Sequence, residues 1–105
     1  MEEPNIEYIL KLARGEENVK LKLIKVLQYE LPLEMEAYYE NIKLNQWQQA
    51  AFHVHKIKHK IAILGLEETY SMAEKYENQL CEYRTDLQSD FENNLKLMLN
   101  FVNTL

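Results

Sequence analysis

Only two glycines and two prolines occur in 105 residues, and that scarcity limits the fold more than any other feature. A β-sandwich or barrel needs turn residues at short intervals, and this chain does not have them. Its long unbroken stretches are rich in Leu, Glu, Lys, Gln and Met, all good helix formers. The fold is therefore read as all-α. No repeat, low-complexity run or flexible linker divides the chain, so residues 1–105 are read as one domain. That length leaves no room for a nucleotide-binding domain beside a substrate domain. With 47% apolar residues the chain is too apolar to be disordered, yet its apolar runs are too short to span a membrane. Cys81 is the single cysteine, so neither an internal disulfide nor a cysteine zinc set can form. It is expected to be a small core residue in a reduced, cytoplasmic setting. The net charge of −5 argues against nucleic acid and anionic membranes as partners.

Apolar spacing and breakers divide the chain into five helices. The first runs from about Asn5, its expected cap, to Ala13, with Ile6, Ile9 and Leu10 on one face and Gly15 at its stop. The second spans Glu17 to Lys43. Val19, Leu23, Val26 and Leu27 mark its inner face, and Met35, Tyr38, Tyr39 and Ile42 continue it. Pro32 lies inside this run and is expected to kink it. The third helix, Trp47 to Leu64, is expected to be capped by Asn45 and turned by Gly65. The fourth, Glu67 to Asp86, carries Tyr70, Ala73, Tyr76, Leu80, Tyr83 and Leu87. The fifth is expected to be capped by Ser89, with Phe91, Leu95, Met98, Val102 and Leu105 facing inward. Short connections make neighbours antiparallel, which gives an up-down-up-down four-helix bundle with a short extra N-terminal helix over one end.

The third helix differs chemically from the rest. None of the 17 acids falls between Asn41 and Leu66, while four lysines and all three histidines do. The other eight of the 12 bases face all 17 acids, so +4 on this stretch sits against −9 elsewhere. Such a strip suits an anion or an acidic surface, or its lysines simply neutralise their neighbours. Ala50, Val54, Ile57, Ile61 and Leu64 form its core stripe. His55 lies roughly 135° from the centre of that stripe and faces outward. His59 follows one turn later on the same side. Lys58 lies between His55 and the core edge, where its stem can cover apolar surface while the ammonium reaches out. Phe52 and Ile63 also fall outward, and His53 falls on the opposite flank beside Lys56 and Lys60.

The run from His55 to Gly65, with Lys58 three residues after His55 and Gly65 ten after it, resembles the signature of histidine-phosphotransfer (HPt) domains. Trp47, Ala50 and Ala51 on the approach, Tyr70 to Glu77 in the following helix, and Leu31-Pro32 in the preceding one also resemble that family. The family usually has glycine directly after the lysine, and here His59 stands there. At i+4 from His55 it is placed to crowd the site, to hydrogen-bond a phosphoryl group or to restrict docking. Val54 replaces the usual alanine before the histidine.

The resemblance implies a phosphorelay intermediate, a phosphocarrier without ATP binding or autokinase activity. His55 would accept a phosphoryl group from an aspartate of a response-regulator receiver domain and pass it to another, downstream of a hybrid sensor histidine kinase. Lys58 would stabilise phosphoryl charge, Gly65 would be structural, and Ala51, Phe52, Ala62 and Ile63 would form the docking surface. No cofactor is expected on this chain, and Mg²⁺ is expected from the receiver domain, since no acid cluster lies near His55 in sequence. A free-standing monomer is expected. Two other readings stay open: a helical interaction module that is not phosphorylated, and a metal site built on His55 and His59.

Overall fold

The computed structural model describes residues 2–105. Five α-helices follow in order: α1 (Glu7–Ala13), α2 (Glu17–Lys43), α3 (Trp47–Ile63), α4 (Glu67–Cys81) and α5 (Gln88–Asn103). No strand occurs among the described residues, and no helix is long and apolar enough to cross a membrane. Helix α2 packs against α1, α3 and α5, while α4 packs against α3 and α5, so the four longer helices contact one another in a cycle. This arrangement sets α3 between α2 and α4. Helix α2 runs unbroken through Pro32, whose missing N–H leaves the Gln28 carbonyl without its usual donor.

The helix ends explain how two glycines suffice. Asn45 (φ 56°), Gly65 (φ 75°) and Tyr83 (φ 61°) each take the left-handed conformation just past a helix. Each N–H bonds back to a carbonyl of the last turn: Asn45 to Ile42, Gly65 to Ala62 and Tyr83 to Leu80. The following N–H bonds one residue deeper, from Gln46 to Asn41, Leu66 to Ile61 and Arg84 to Gln79. These are Schellman closures, in which left-handed geometry satisfies carbonyls left over at a helix end. Asn tolerates that geometry well, but a tyrosine there is uncommon. The closure at Tyr83 ends α4 at Cys81, short of the expected Asp86. Tyr83 is accordingly 68% exposed rather than inward, and Cys81 lies on the surface rather than in the core. Asn45 closes α2 instead of capping α3, and Ser89 falls inside α5.

The core draws on all five helices. The predicted α3 stripe of Ala50, Val54, Ile57, Ile61 and Leu64 is fully buried, as are Phe91, Leu95, Met98 and Val102 of α5. On α2 the inward residues are Ile24, Leu27, Leu31, Met35 and Tyr38, whereas Val26 is 47% exposed and Leu105 at the end of the chain is also exposed. Buried Tyr38 and Tyr76 meet hydroxyl to hydroxyl at 2.5 Å, and the Tyr38 hydroxyl lies 2.9 Å from Glu92 Oε2. Burial pushes both phenols upward, Tyr76 to about 12, so both stay protonated and available as donors. They bring polar, directional contacts to the meeting point of α2, α4 and α5.

The segment before α1 holds the α3–α4 turn. The Asn5 N–H donates to the Leu64 carbonyl at 2.9 Å, and its side-chain oxygen accepts from the Glu7 N–H at 3.1 Å. Glu2 accepts from the N–H groups of Glu68 (2.6 Å) and Thr69 (2.9 Å) at the start of α4. Burial works to raise the Glu2 pKa, but these bonds and the Thr69 hydroxyl hold it below its ordinary value. A Cβ at Gly65 would lie 2.6 Å from the Asn5 side-chain nitrogen, whereas one at Gly15 would meet nothing within 4 Å. Both glycines have positive φ, so Gly15→Ala measures backbone strain and Gly65→Ala measures strain plus the Asn5 clash. Chemical denaturation is expected to show a loss of about 1–2 kcal/mol for each, with Gly65→Ala adding the cost of turning the Asn5 side chain away from the Glu7 N–H.

Candidate functional site

His55 projects from the middle of α3 with its side chain 53% exposed. Its Nδ1 lies 3.2 Å from Glu77 Oε2 and 3.4 Å from Oε1, across the α3–α4 contact. An ionised carboxylate only accepts hydrogen bonds, so this pairing places the proton of a neutral imidazole on Nδ1. The Nε2 lone pair is then left without a hydrogen-bond partner among the described residues, on a side chain that is about half exposed. Glu77 is thus a site residue whose role the sequence did not disclose: it stood there only as the end of the Tyr70–Glu77 stretch, with no acid near His55 along the chain. It lies 22 residues away and reaches the site through packing. The available signal was its position in the helix that follows the Gly65 turn.

Lys58 is placed differently from expectation. Its side chain is only 7% exposed, and its ammonium turns inward to Glu77 Oε1 at 2.8 Å, with Glu74 at 4.0 Å. The Tyr70 ring lies 5.4 Å from the ammonium. Burial works to lower the Lys58 pKa, but Glu77, Tyr70 and Glu74 outweigh it and hold the pKa above the ordinary lysine value. Lys58 therefore stays charged. Its reach is short because α4 lies over that side of α3, and a desolvated ammonium takes the nearest carboxylate. Glu77 consequently joins two groups, with Lys58 on one oxygen and His55 beside both.

The remaining lysines refine the meaning of the charge strip. Lys60 is bound by Glu30 at 2.7 Å and Glu34 at 3.0 Å on α2. Two of the strip's lysines are therefore neutralised by neighbouring helices, as the simpler reading of the charge pattern held. Lys56 remains exposed, with its ammonium 5.6 Å from the Phe52 ring centroid.

The other predicted residues separate into two groups. Phe52, 60% exposed, and Ala62 face outward. Ala51 is buried, and Ile63 is only partly exposed because it packs on the core, so neither stands free on the surface as expected. His59 is exposed, with its ring edge-on to His55 at 5.4 Å between centroids. Gly65 lies at the helix turn and shapes the end of α3. Beyond Ala62 a cleft of about 600 Å³ opens beside the α3–α4 turn, lined by Tyr8 and Lys11 of α1 and by Tyr70.

Removing Glu77 leaves a buried ammonium without its nearest acceptor. Glu77→Ala is expected to lower unfolding free energy by about 1–3 kcal/mol, read by denaturation at pH 7. His53, on the opposite flank, has its pKa lowered by burial and by Lys56, against the opposing pull of Glu34. Its contribution to stability is present above the unfolded value of about 6.5 and is lost as pH falls through the depressed folded value. The fall in stability below about pH 6.5 is therefore expected to be shallower in His53→Gln than in the parent protein.

Comparison with protein-family models, characterised proteins and solved structures finds no match to this chain.

Proposed function

We propose that the protein is a phosphoryl carrier that works between receiver-domain aspartates. In this reading its helices form an antiparallel, up-down-up-down four-helix bundle, with α1 over one end. The supporting observation is the fixing of His55: its Nδ1 pairs with Glu77, and its side chain is about half exposed on α3.

Nε2 attacks the phosphorus of an aspartyl phosphate in line. The Nε2–P bond forms as the bond from phosphorus to the aspartate oxygen breaks, and the departing carboxylate keeps the electron pair. The ring becomes cationic, and the proton on Nδ1 stays against Glu77, whose negative charge offsets the charge that develops there. The return step to a second aspartate reverses these changes. The Mg²⁺ that offsets charge on the phosphoryl oxygens comes with the receiver domain. Lys58 secures Glu77, and the arriving phosphoryl oxygens draw on its ammonium as a second acceptor. Phe52 and Ala62, with the margin of Ile63, form the docking surface around His55, and His59 borders the phosphoryl position. A hybrid sensor histidine kinase stands upstream. The carrier is monomeric and cytoplasmic, with no nucleic-acid or membrane partner.

The test is incubation with a phosphorylated receiver domain and Mg²⁺. The expected product carries acid-labile, base-stable label on His55, and His55→Gln carries none while keeping its helical circular dichroism. Lys58→Ala is expected to slow transfer by roughly tenfold to a hundredfold. Label that persists in His55→Gln, or that maps to His59, overturns the assignment. Absence of label in the parent protein leaves the unphosphorylated interaction module as the better reading.

A further inference from the structure

His55 and His59 stand one helical turn apart on the exposed side of α3, with ring centroids 5.4 Å apart and planes at 76°. Two histidines four residues apart on a helix can ligate one metal ion. With metal–nitrogen distances of about 2.0–2.1 Å and a tetrahedral angle, two such rings have centroids about 5 Å apart. The observed separation is close to that, and both side chains are exposed.

In sequence this pair had no supporting group, because no acid or cysteine lies near it along the chain. The structure supplies one from α4. Glu77 lies behind His55, on the nitrogen that would not bind the metal. A carboxylate in that position fixes the tautomer of a ligating histidine, orients its ring and raises its basicity. Imidazole ligands suit zinc, copper and nickel, whereas Mg²⁺ requires oxygen ligands, so this pair does not serve the Mg²⁺ of phosphoryl transfer.

We propose that His55 and His59 form a surface site for a divalent transition-metal ion of the zinc type, with Glu77 as its supporting carboxylate. Two protein ligands leave the remaining positions to water, so the ion exchanges readily and is not a structural staple. The ion takes the same Nε2 lone pair that the phosphoryl group would take. Metal binding and phosphorylation at His55 therefore exclude one another, a consequence that rests on the carrier reading, whereas the binding itself does not.

The binding arm titrates the full chain with Zn²⁺ alone, followed by calorimetry and by the histidine ring resonances. One ion per chain is expected. Affinity is expected to fall by roughly tenfold or more in His59→Ala and in His55→Gln, and by about 10- to 100-fold in Glu77→Gln. His53→Gln serves as the control and is expected to bind as the parent does. Parent-like binding by His59→Ala overturns the site, and so does loss of binding in His53→Gln.

The competition arm labels the protein with phosphoramidate, a small phosphoryl donor that requires no partner. Saturating Zn²⁺ is expected to suppress labelling of His55. Relative to its own metal-free rate, His59→Ala is expected to need roughly tenfold more zinc for the same suppression. Labelling that proceeds with zinc bound overturns the exclusion. Zinc binding without any labelling in metal-free protein supports the metal site and counts against the carrier reading, so the two failures are distinguishable.

Discussion

The Glu77 carboxylate is the contact on which the site depends, since it carries two obligations across the α3–α4 contact. One oxygen holds the buried Lys58 ammonium at 2.8 Å, and the pair flanks Nδ1 of His55 at 3.2 and 3.4 Å. A buried ammonium without a close acceptor is costly, so Lys58 anchors Glu77 as much as Glu77 anchors Lys58. That anchoring limits where the carboxylate can go and so fixes the orientation of the exposed imidazole. A histidine on a helix surface ordinarily samples several rotamers and both tautomers. Here the Nδ1 edge of its ring is tied to a charge that is itself tied to the core edge.

The wider structure serves that contact by setting the register of α3 against α4. The turn between them is closed by Gly65, whose positive φ ends α3 and whose missing Cβ lets Asn5 approach. The N-terminal segment then bridges the turn, with Asn5 on the Leu64 carbonyl and Glu2 on the first N–H groups of α4. A carboxylate at a helix N-terminus satisfies unpaired donors and complements the helix dipole. The paired tyrosines Tyr38 and Tyr76 lock the other face of α4 to α2 and α5. A displacement of α4 along α3 would break the Glu77 contacts, the Glu2 bonds and this tyrosine pair together.

Much of the fold was legible because helical periodicity is a strong local signal. The inner stripes of α3 and α5 were read from their spacing, apart from the exposed Leu105 and from Ala51 and Lys58, which are buried on α3 as well. Helix ends were harder. Asn45 and Ser89 carry side chains suited to capping, but backbone closure and the start of α5 decided their places. Nothing in the local sequence marks Tyr83 for left-handed geometry, so the expected end of α4 ran five residues too far. At the site the outward histidines and Phe52 were legible from angle alone. The direction of Lys58 was not, because it depends on a carboxylate 19 residues away that only packing brings near. Local charge counting could not find Glu77 for the same reason, and it overstated the free positive charge of α3.

The most direct measurement is the tautomer of His55, read from ¹⁵N histidine spectra at pH 8 in the free protein. A protonated Nδ1 and an unprotonated Nε2 are expected in the parent chain. Glu77→Ala is expected to move His55 toward the Nε2–H form that an unconstrained imidazole favours, while His59 keeps its own balance. A parent spectrum dominated by protonated Nε2, or one unchanged by Glu77→Ala, would show that Glu77 does not fix the ring.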